Sequence, residues 1–482
     1  MEVDYRCPMA PFSFFWHDYE TFGIVPRRDR PAQFAGVRTD AELNEIEPAV
    51  ELFCRPSADM LPSPEACLIT GITPQICADR GVSERDFASA IESELARPGT
   101  VGCGYNSLRF DDEVTRFLFW RSLIDPYARE WQNECGRWDL LDTVRCAWAL
   151  RPEGLQWPQH ETGKPSFKLE HLTAANGLAH AAAHDALSDV RATIALARLV
   201  KDKQPKLWAH CLKLHKKQAV VEEMGVGQPF VHLSGRYPVE RGCMAVVWPL
   251  APHPRFKNEV IVWDLAHDPR ELFALNAHEV RERLFTAADA LPAGQARLPI
   301  KTIHLNKSPI VVGNLKTLGS ATTRWGIDLD QVLRHADVAA RQANTMAGVW
   351  PEVYERPASG EVVDVDEDLY GGFLDNEDRR ALQRLRSLPA VRLAERRPAF
   401  NDNRLDELLL RFRARNHADT LTDAERGHWQ AHCQACWQQG PVWLEQIAAL
   451  EARTDERGCV VLADLRRWAQ AIRTEGCLDR LG

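Results

Sequence analysis

Phe14-Phe15-Trp16-His17-Asp18-Tyr19-Glu20-Thr21 is an aromatic run that ends in two acids. Consecutive large aromatic residues suit a strand buried on both faces. In a strand, residues two apart share a face. Asp18 and Glu20 therefore present their carboxylates together, while His17 and Tyr19 turn to the other face and pack. Two anions at the end of an apolar strand are costly unless a cation binds them. Magnesium, a hard cation preferring oxygen, is the natural partner. Taken alone, the same pattern also describes two exposed acids at a strand end.

Working outward, residues 33–38, 50–54 and 100–105 read as further strands and 112–123 as a helix. A helix over 186–200 places Val190, Ile194 and Leu199 near one face. Strands with interleaved helices across residues 13–200 predict an α/β layer with a mixed sheet. Residues 201–217 turn basic, with six lysines (Lys201, Lys203, Lys206, Lys213, Lys216, Lys217), which suits phosphate tracking and a solvated linker equally. Across 201–355, short β-rich runs at 244–248, 260–263 and 310–312 are separated by Pro and Gly, as in a small β-barrel domain with inserted helices. The acidic stretch 361–368 reads as a linker. Residues 358–480 read as all-helical: Leu405, Leu408, Leu409 and Phe412 recur at helix spacing, and Thr422 with Glu425 fits a capping box.

At 482 residues, two to four domains are expected. No run of about 18 uncharged apolar residues occurs, and the first residues lack a signal-peptide layout, so a cytoplasmic protein without a membrane span is expected. Thirteen scattered cysteines suit buried thiols in a reducing compartment. Cys433 and Cys436, near His428 and His432, lack a second ligand pair at zinc spacing, so packed helix cysteines are expected. The formal charge of −9 argues against bulk attraction to nucleic acid but leaves room for a basic channel.

Two further segments carry acids. In 104–113, Asp111 and Asp112 stand where a strand meets a helix; either suits a helix cap, and Asp111 is preferred as a metal ligand. In His184-Asp185-Ala186-Leu187-Ser188-Asp189, a histidine and an acid five apart stand where a loop enters a helix, and Asp185 suits the cap. Separately each has a structural reading. Together, Asp18, Glu20, Asp111, Asp189 and His184 are what two-metal phosphodiester hydrolysis requires: four carboxylates for two metal ions and a neutral imidazole to take a proton from water.

The order Asp-x-Glu, Asn-x-x-x-Phe-Asp, His-x-x-x-x-Asp resembles the DEDD proofreading-type exonuclease superfamily in its histidine subgroup, as does Thr70-Gly71-Ile72-Thr73. The resemblance tightens to the bacterial exonuclease I family through residues 17–23, 29–34, 104–117, 137–142, 149–154 and 169–172, and continues through 404–416, so it spans almost the whole chain. It implies a ribonuclease H-like nuclease domain, an SH3-like domain and a helical C-terminal domain closing around single-stranded DNA. It implies processive 3′→5′ release of 5′-mononucleotides, with a role in DNA repair and recombination. Asp18, Glu20, Asp111 and Asp189 fall on the family's metal ligands, for two Mg2+ ions with Mn2+ as substitute, and His184 falls on its general base.

Arg116, Tyr127, Trp131 and Arg145 match positions that contact DNA, cations and aromatic faces being what grips a single strand. Glu20 is also placed against substrate. Lys168 stands where the family carries Arg near the substrate, which keeps a charge but loses the bidentate fork. The resemblance further implies binding of the acidic tail of single-stranded DNA-binding protein, and a monomer is expected because one chain encloses the strand. A ribonuclease of the same subgroup is the nearest rival, since the catalytic constellation does not read the sugar. A catalytically dead scaffold is disfavoured because all five residues are present.

Overall fold

The structure, a computed structural model, describes residues 12–180, 184–355, 363–395 and 398–474. The ends of the expected 358–480 region, with Glu361 and Val362 of the acidic stretch, lie outside them. The chain divides into two compact units: residues 1–136, 180–194 and 362–482 form the first, and 137–179 with 195–361 the second.

In the first unit the quoted stretch is the central strand. β1 (Ser13–Thr21) lies between β2 (Pro31–Thr39), antiparallel to it, and β4 (Thr100–Gly104), parallel to it; β3 (Val50–Phe53) extends the far side of β2. The sheet is therefore mixed, as expected, and its order continues at Gly136, the first residue of β5 (Gly136–Asp139). Alternation along β1 follows the pleat. Phe15 and Tyr19 join Phe34, Phe87, Ile91 and Leu118 in one apolar cluster. His17, on the same face, is buried and neither ring nitrogen has a hydrogen-bond partner. Burial holds its pKa down at about 4, so it packs as a neutral ring.

The C-terminal helices complete this unit. Leu405, Leu408, Leu409 and Phe412 of the Arg404–Asn416 helix pack with Phe117, Trp120 and Leu123 from the Asp111–Arg121 region. The capping box expected at Thr422 and Glu425 is formed reciprocally. Cys433 is buried beside Ala414, Leu421 and Trp429, Cys436 Sγ lies 3.7 Å from His432 Nε2, and His428 faces Glu407.

The acidic stretch departs from expectation. Its described part is an anchor, not a linker. Asp366, 4% exposed, meets Arg30 (3.3 Å), Arg411 (3.2 Å) and Arg415, while Asp59 meets Arg30 (2.9 Å) and Arg415 (2.6 Å). Local composition reads as solvated acid, but its cations lie far away in sequence. The arginines hold both carboxyls well below the usual carboxylate range despite burial.

The second unit centres on an antiparallel five-stranded sheet in the order β10-β6-β7-β8-β9, formed by Phe230–Leu233 (β6), Met244–Pro252 (β7), Glu259–Asp264 (β8), Ile300–His304 (β9) and Ile310–Val312 (β10). Apolar side chains along its strands are buried, Ile261, Val262 and Trp263 among them. Among the described residues, no helix is long and apolar enough to cross a membrane.

Candidate active site

Parallel pairing of β1 and β4 brings their C-terminal ends to one edge of the sheet, where the acids gather. Asp18 and Glu20 leave one face of β1. Beyond β4 a short turn leads into the Asp111–Arg121 helix, whose first residue is Asp111. The Tyr19 backbone N–H donates to Asp111 Oδ1 (3.2 Å), which ties the helix start to the strand end. Asp112 points elsewhere: its carboxylate accepts from Arg129 (2.5 Å), and both groups are buried. This divergence separates the two adjacent acids that the sequence left competing.

Asp189 enters from the first turn of the Ala186–Lys203 helix. Asp185 accepts from the Ser188 N–H (2.9 Å), the capping role weighed for it from sequence. His184 sits just before the helix with φ of 65°, in the left-handed region. Ligand atoms of Glu20, His184 and Asp189 all lie within 4.8 Å of one another. The sequence reading missed His180, whose Nε2 lies 2.5 Å from Asp189 Oδ1. Its spacing, four residues before His184, was the available signal.

These acids raise one another's pKa. Burial, then the charges of Asp111, Glu20 and Asp189, push Asp18 well above the carboxylate range. Burial, then Asp189 and Asp185, push Glu20 up to about 8. Asp189 is raised by burial, opposed by His180 and His184. The opposing histidines and helix starts leave an excess of buried negative charge, which a divalent cation would neutralise. The donors are carboxylate oxygens, with the His184 imidazole in reach and the His180 ring on Asp189, a set that fits a hard divalent ion.

The expected DNA contacts are placed unevenly. Trp131 is exposed at 67%. Arg116 is only 4% exposed: its Nε and Nη2 donate to Glu130 (2.7 and 2.9 Å), and Nη1 donates to Glu113 (2.8 Å) and the Tyr370 hydroxyl (3.0 Å). It lies over the Tyr127 ring, 5.3 Å from its centroid, and that ring is 5.9 Å from Phe373. Arg116 thus buttresses Tyr127 rather than reaching solvent. Tyr370 and Phe373 had no signal in the sequence that separated them from other aromatics. In the second unit, Lys168 is exposed and 3.5 Å from Glu170. Arg145 donates to Asp142 (2.7 Å) and lies over Phe167. Gly235 makes room for it, since a Cβ there would come within 2.7 Å of the guanidinium carbon.

A strand-end acid pair, a helix-start acid beside it, and a histidine with a second helix-start acid define a nuclease-type acidic centre. In agreement, residues 15–197 match the family model described as Exonuclease. The exonuclease I SH3-like domain matches residues 215–356, and the exonuclease I C-terminal domain matches 363–472. The exodeoxyribonuclease I of Haemophilus influenzae is 43% identical over 437 residues, 90% of this chain and 92% of that one. Among solved structures, a moderately thermophilic exonuclease I from Methylocaldum szegediense has 48% identity and a TM-score of 0.90, covering 96% of this chain and 99% of that one. Escherichia coli exonuclease I in complex with a dA16 oligonucleotide has 40% identity and a TM-score of 0.91, covering 96% and 100%. The single-stranded DNA complex of the E. coli enzyme has also been solved in zinc-bound and metal-free forms. The chain belongs to the bacterial exonuclease I family, and it is a hydrolase.

Proposed function

We propose that the chain removes nucleotides from the 3′ ends of single-stranded DNA, releasing 5′-mononucleotides with the help of two divalent ions. The observation that carries this reading is the acidic centre, where ligand atoms of Glu20, His184 and Asp189 lie within 4.8 Å of one another, burial raises the pKa of Asp18, Glu20 and Asp189, and neighbouring carboxylates raise those of Asp18 and Glu20 further. Asp18, Glu20, Asp111 and Asp189 would hold the ions, magnesium first and manganese as substitute. When bound, such ions lower the pKa of an attacking water and stabilise the leaving oxygen.

The chain's own residues supply the rest. His184, on its exposed turn at the mouth of the site, takes the proton from the attacking water at a ring nitrogen. Glu20 also contacts the substrate. His180 orients the Asp189 carboxylate through their shared hydrogen bond. The exposed Trp131 and the ring of Tyr127, steadied by Arg116, offer stacking faces for bases, while Lys168 and Arg145 meet phosphates.

The oligonucleotide complexes of the E. coli enzyme support a single-stranded substrate. We extend the reading to three domains at 13–200, 201–355 and 358–480, a cytoplasmic monomer acting in DNA repair and recombination, and a partner in the acidic tail of single-stranded DNA-binding protein. Labelled single-stranded DNA, duplex DNA and RNA of one sequence, each with magnesium and with chelator, test the substrate. Stepwise shortening of single-stranded DNA in magnesium alone is expected. Preferential loss of the RNA would assign a ribonuclease instead.

A further inference from the structure

Arg129, in the first unit, is an arginine turned away from solvent: the residue is 2% exposed. It stands in the short turn Ala128–Glu130, whose backbone is held in place. Asp125 Oδ1 accepts from the N–H groups of Tyr127 (2.9 Å) and Ala128 (3.2 Å), and the Glu130 N–H donates to the Tyr127 carbonyl (3.0 Å). The turn brings a guanidinium to the face of β1 opposite Asp18 and Glu20. Its Nη2 donates to Asp112 Oδ1 (2.5 Å), beside Asp111 in the chain. Its Nη1 lies over β4 at Gly102, where a Cβ would stand 3.2 Å from Nη1 and 3.7 Å from His17 Nε2. His17 is in turn the neighbour of Asp18 in β1.

A guanidinium carries five N–H donors in a fixed fork, and burying one is costly unless charge and donors are both met. Asp112 meets the charge. Nε and Nη1 of Arg129, and both His17 ring nitrogens, have no hydrogen-bond partner among the described residues. An apolar side chain would fill this space without that cost, so stability alone does not account for the arginine. What sets the position apart is its neighbours, since the guanidinium lies between the residues that adjoin Asp18 and Asp111. One tie between those segments already runs through Tyr19. Its N–H donates to Asp111 Oδ1 (3.2 Å), and its hydroxyl lies 3.0 Å from Thr115 Oγ1, which donates to the Asp111 carbonyl (2.8 Å). Functional side chains must hold position to about 0.5 Å. A strand end and a helix start joined through Tyr19 alone can pivot about it, and Arg129 supplies the second anchor.

We infer that Arg129 is a positioning residue for the metal-binding acids: its fork spans Asp112 and the His17 ring, fixing the helix start that carries Asp111 against the strand end that carries Asp18. This rests on the metal centre proposed above. The test measures Mn2+ binding to the full chain without DNA, by electron paramagnetic resonance, and then kcat and KM on single-stranded DNA at saturating Mn2+. Arg129→Met should weaken Mn2+ binding by about 10–100-fold, the range for groups that orient metal ligands. It should lower kcat by a similar factor while KM stays within about threefold. Because this variant strands the buried Asp112 carboxylate, a second one, Arg129→Met with Asp112→Asn, removes both charges. It should show the same two losses in a protein that still melts cooperatively. Arg121→Met takes another buried arginine of the same unit from its partner Glu84 (3.1 Å) and should lower the melting temperature without moving Mn2+ affinity.

Mn2+ affinity and kcat within about twofold of wild type in the folded double variant overturn the inference, whatever the melting temperature does. An equal loss of Mn2+ affinity in Arg121→Met also overturns it, because the effect would then follow from lost stability and not from the place of Arg129. If the wild type itself binds no Mn2+, the metal reading of the acidic centre falls, a result distinct from loss of the second anchor alone.

Discussion

Glu20→Gln should stabilise the metal-free protein while ending its activity. Glu20 is 9% exposed and its pKa is pushed up to about 8 by burial and by Asp189 and Asp185, against 4.5 for the free side chain. A carboxyl with a raised folded pKa destabilises the fold above its unfolded pKa. The penalty is absent below about pH 4.5, grows as pH rises, and levels off above about pH 8. At about pH 7.5 folding must keep a proton on a group that ionises freely when unfolded, a cost on the order of 4 kcal/mol. Glutamine keeps the shape and removes the charge, although its buried amide offsets part of that benefit, leaving about 2–4 kcal/mol.

Calorimetric melting in chelator reads this directly. Glu20→Gln should melt several degrees above wild type at about pH 7.5, and the difference should vanish near pH 4.5. Magnesium should then raise the wild type, by up to about 2.7 kcal/mol at a hundredfold excess over its dissociation constant, and raise the variant far less. A variant melting at or below wild type in chelator at pH 7.5 would show that the acids do not repel one another, and the metal assignment would lose its basis.

Further outcomes are open to measurement. Asp18→Ala or Asp189→Ala should abolish nucleotide release while single-stranded DNA binding survives in chelator; retained turnover in either removes that residue from the metal site. His184→Ala should cut turnover by roughly 10²–10⁴-fold, the cost of a lost general base, and a variant within twofold of wild type would exclude it. Arg415→Ala strips a cation shared by buried Asp59 and Asp366 and should cost about 3–5 kcal/mol in denaturant titration. Those two acids have depressed folded pKa values, so their stabilisation is present above about pH 4 and is lost as pH falls further. Acid unfolding should therefore begin below that pH, and a midpoint unchanged by Arg415→Ala would refute the linkage.

What was legible in the sequence was what local pattern determines. The period of two along β1 gave the shared face of Asp18 and Glu20 and the packing role of His17 and Tyr19. The reach of β10, Ile310–Val312, and the reciprocal cap at Thr422 and Glu425 came from residues adjacent in the chain. The mixed sheet, the small β-rich domain and the helical C-terminal region follow the same logic, whereas the SH3-like type of that domain came from the family resemblance. The pairing of Asp112 with Arg129, 17 residues on, is not visible in local pattern. The burial of Arg116 needed Glu130 and Tyr370, the latter 254 residues away. The acidic stretch misled for the same reason: charge reads as solvated until distant counter-charges are known. His180 escapes a sequence reading because a lone histidine carries little weight without its partner carboxylate.

The arginine-bound acids also set a schedule for synthesis. Arg30 and Asp366 are 336 residues apart, yet they meet in the interior of one unit. At about 5–20 residues per second, translation would take roughly 20–60 seconds to deliver the second after the first. During that interval the emerging nuclease segment holds Arg30 with Asp59 and Glu84 but without Asp366. A ribosome that stalls before the last third of the message would release a polypeptide carrying the whole catalytic sequence but lacking the counter-charge that closes its floor, a natural substrate for chaperones and proteases.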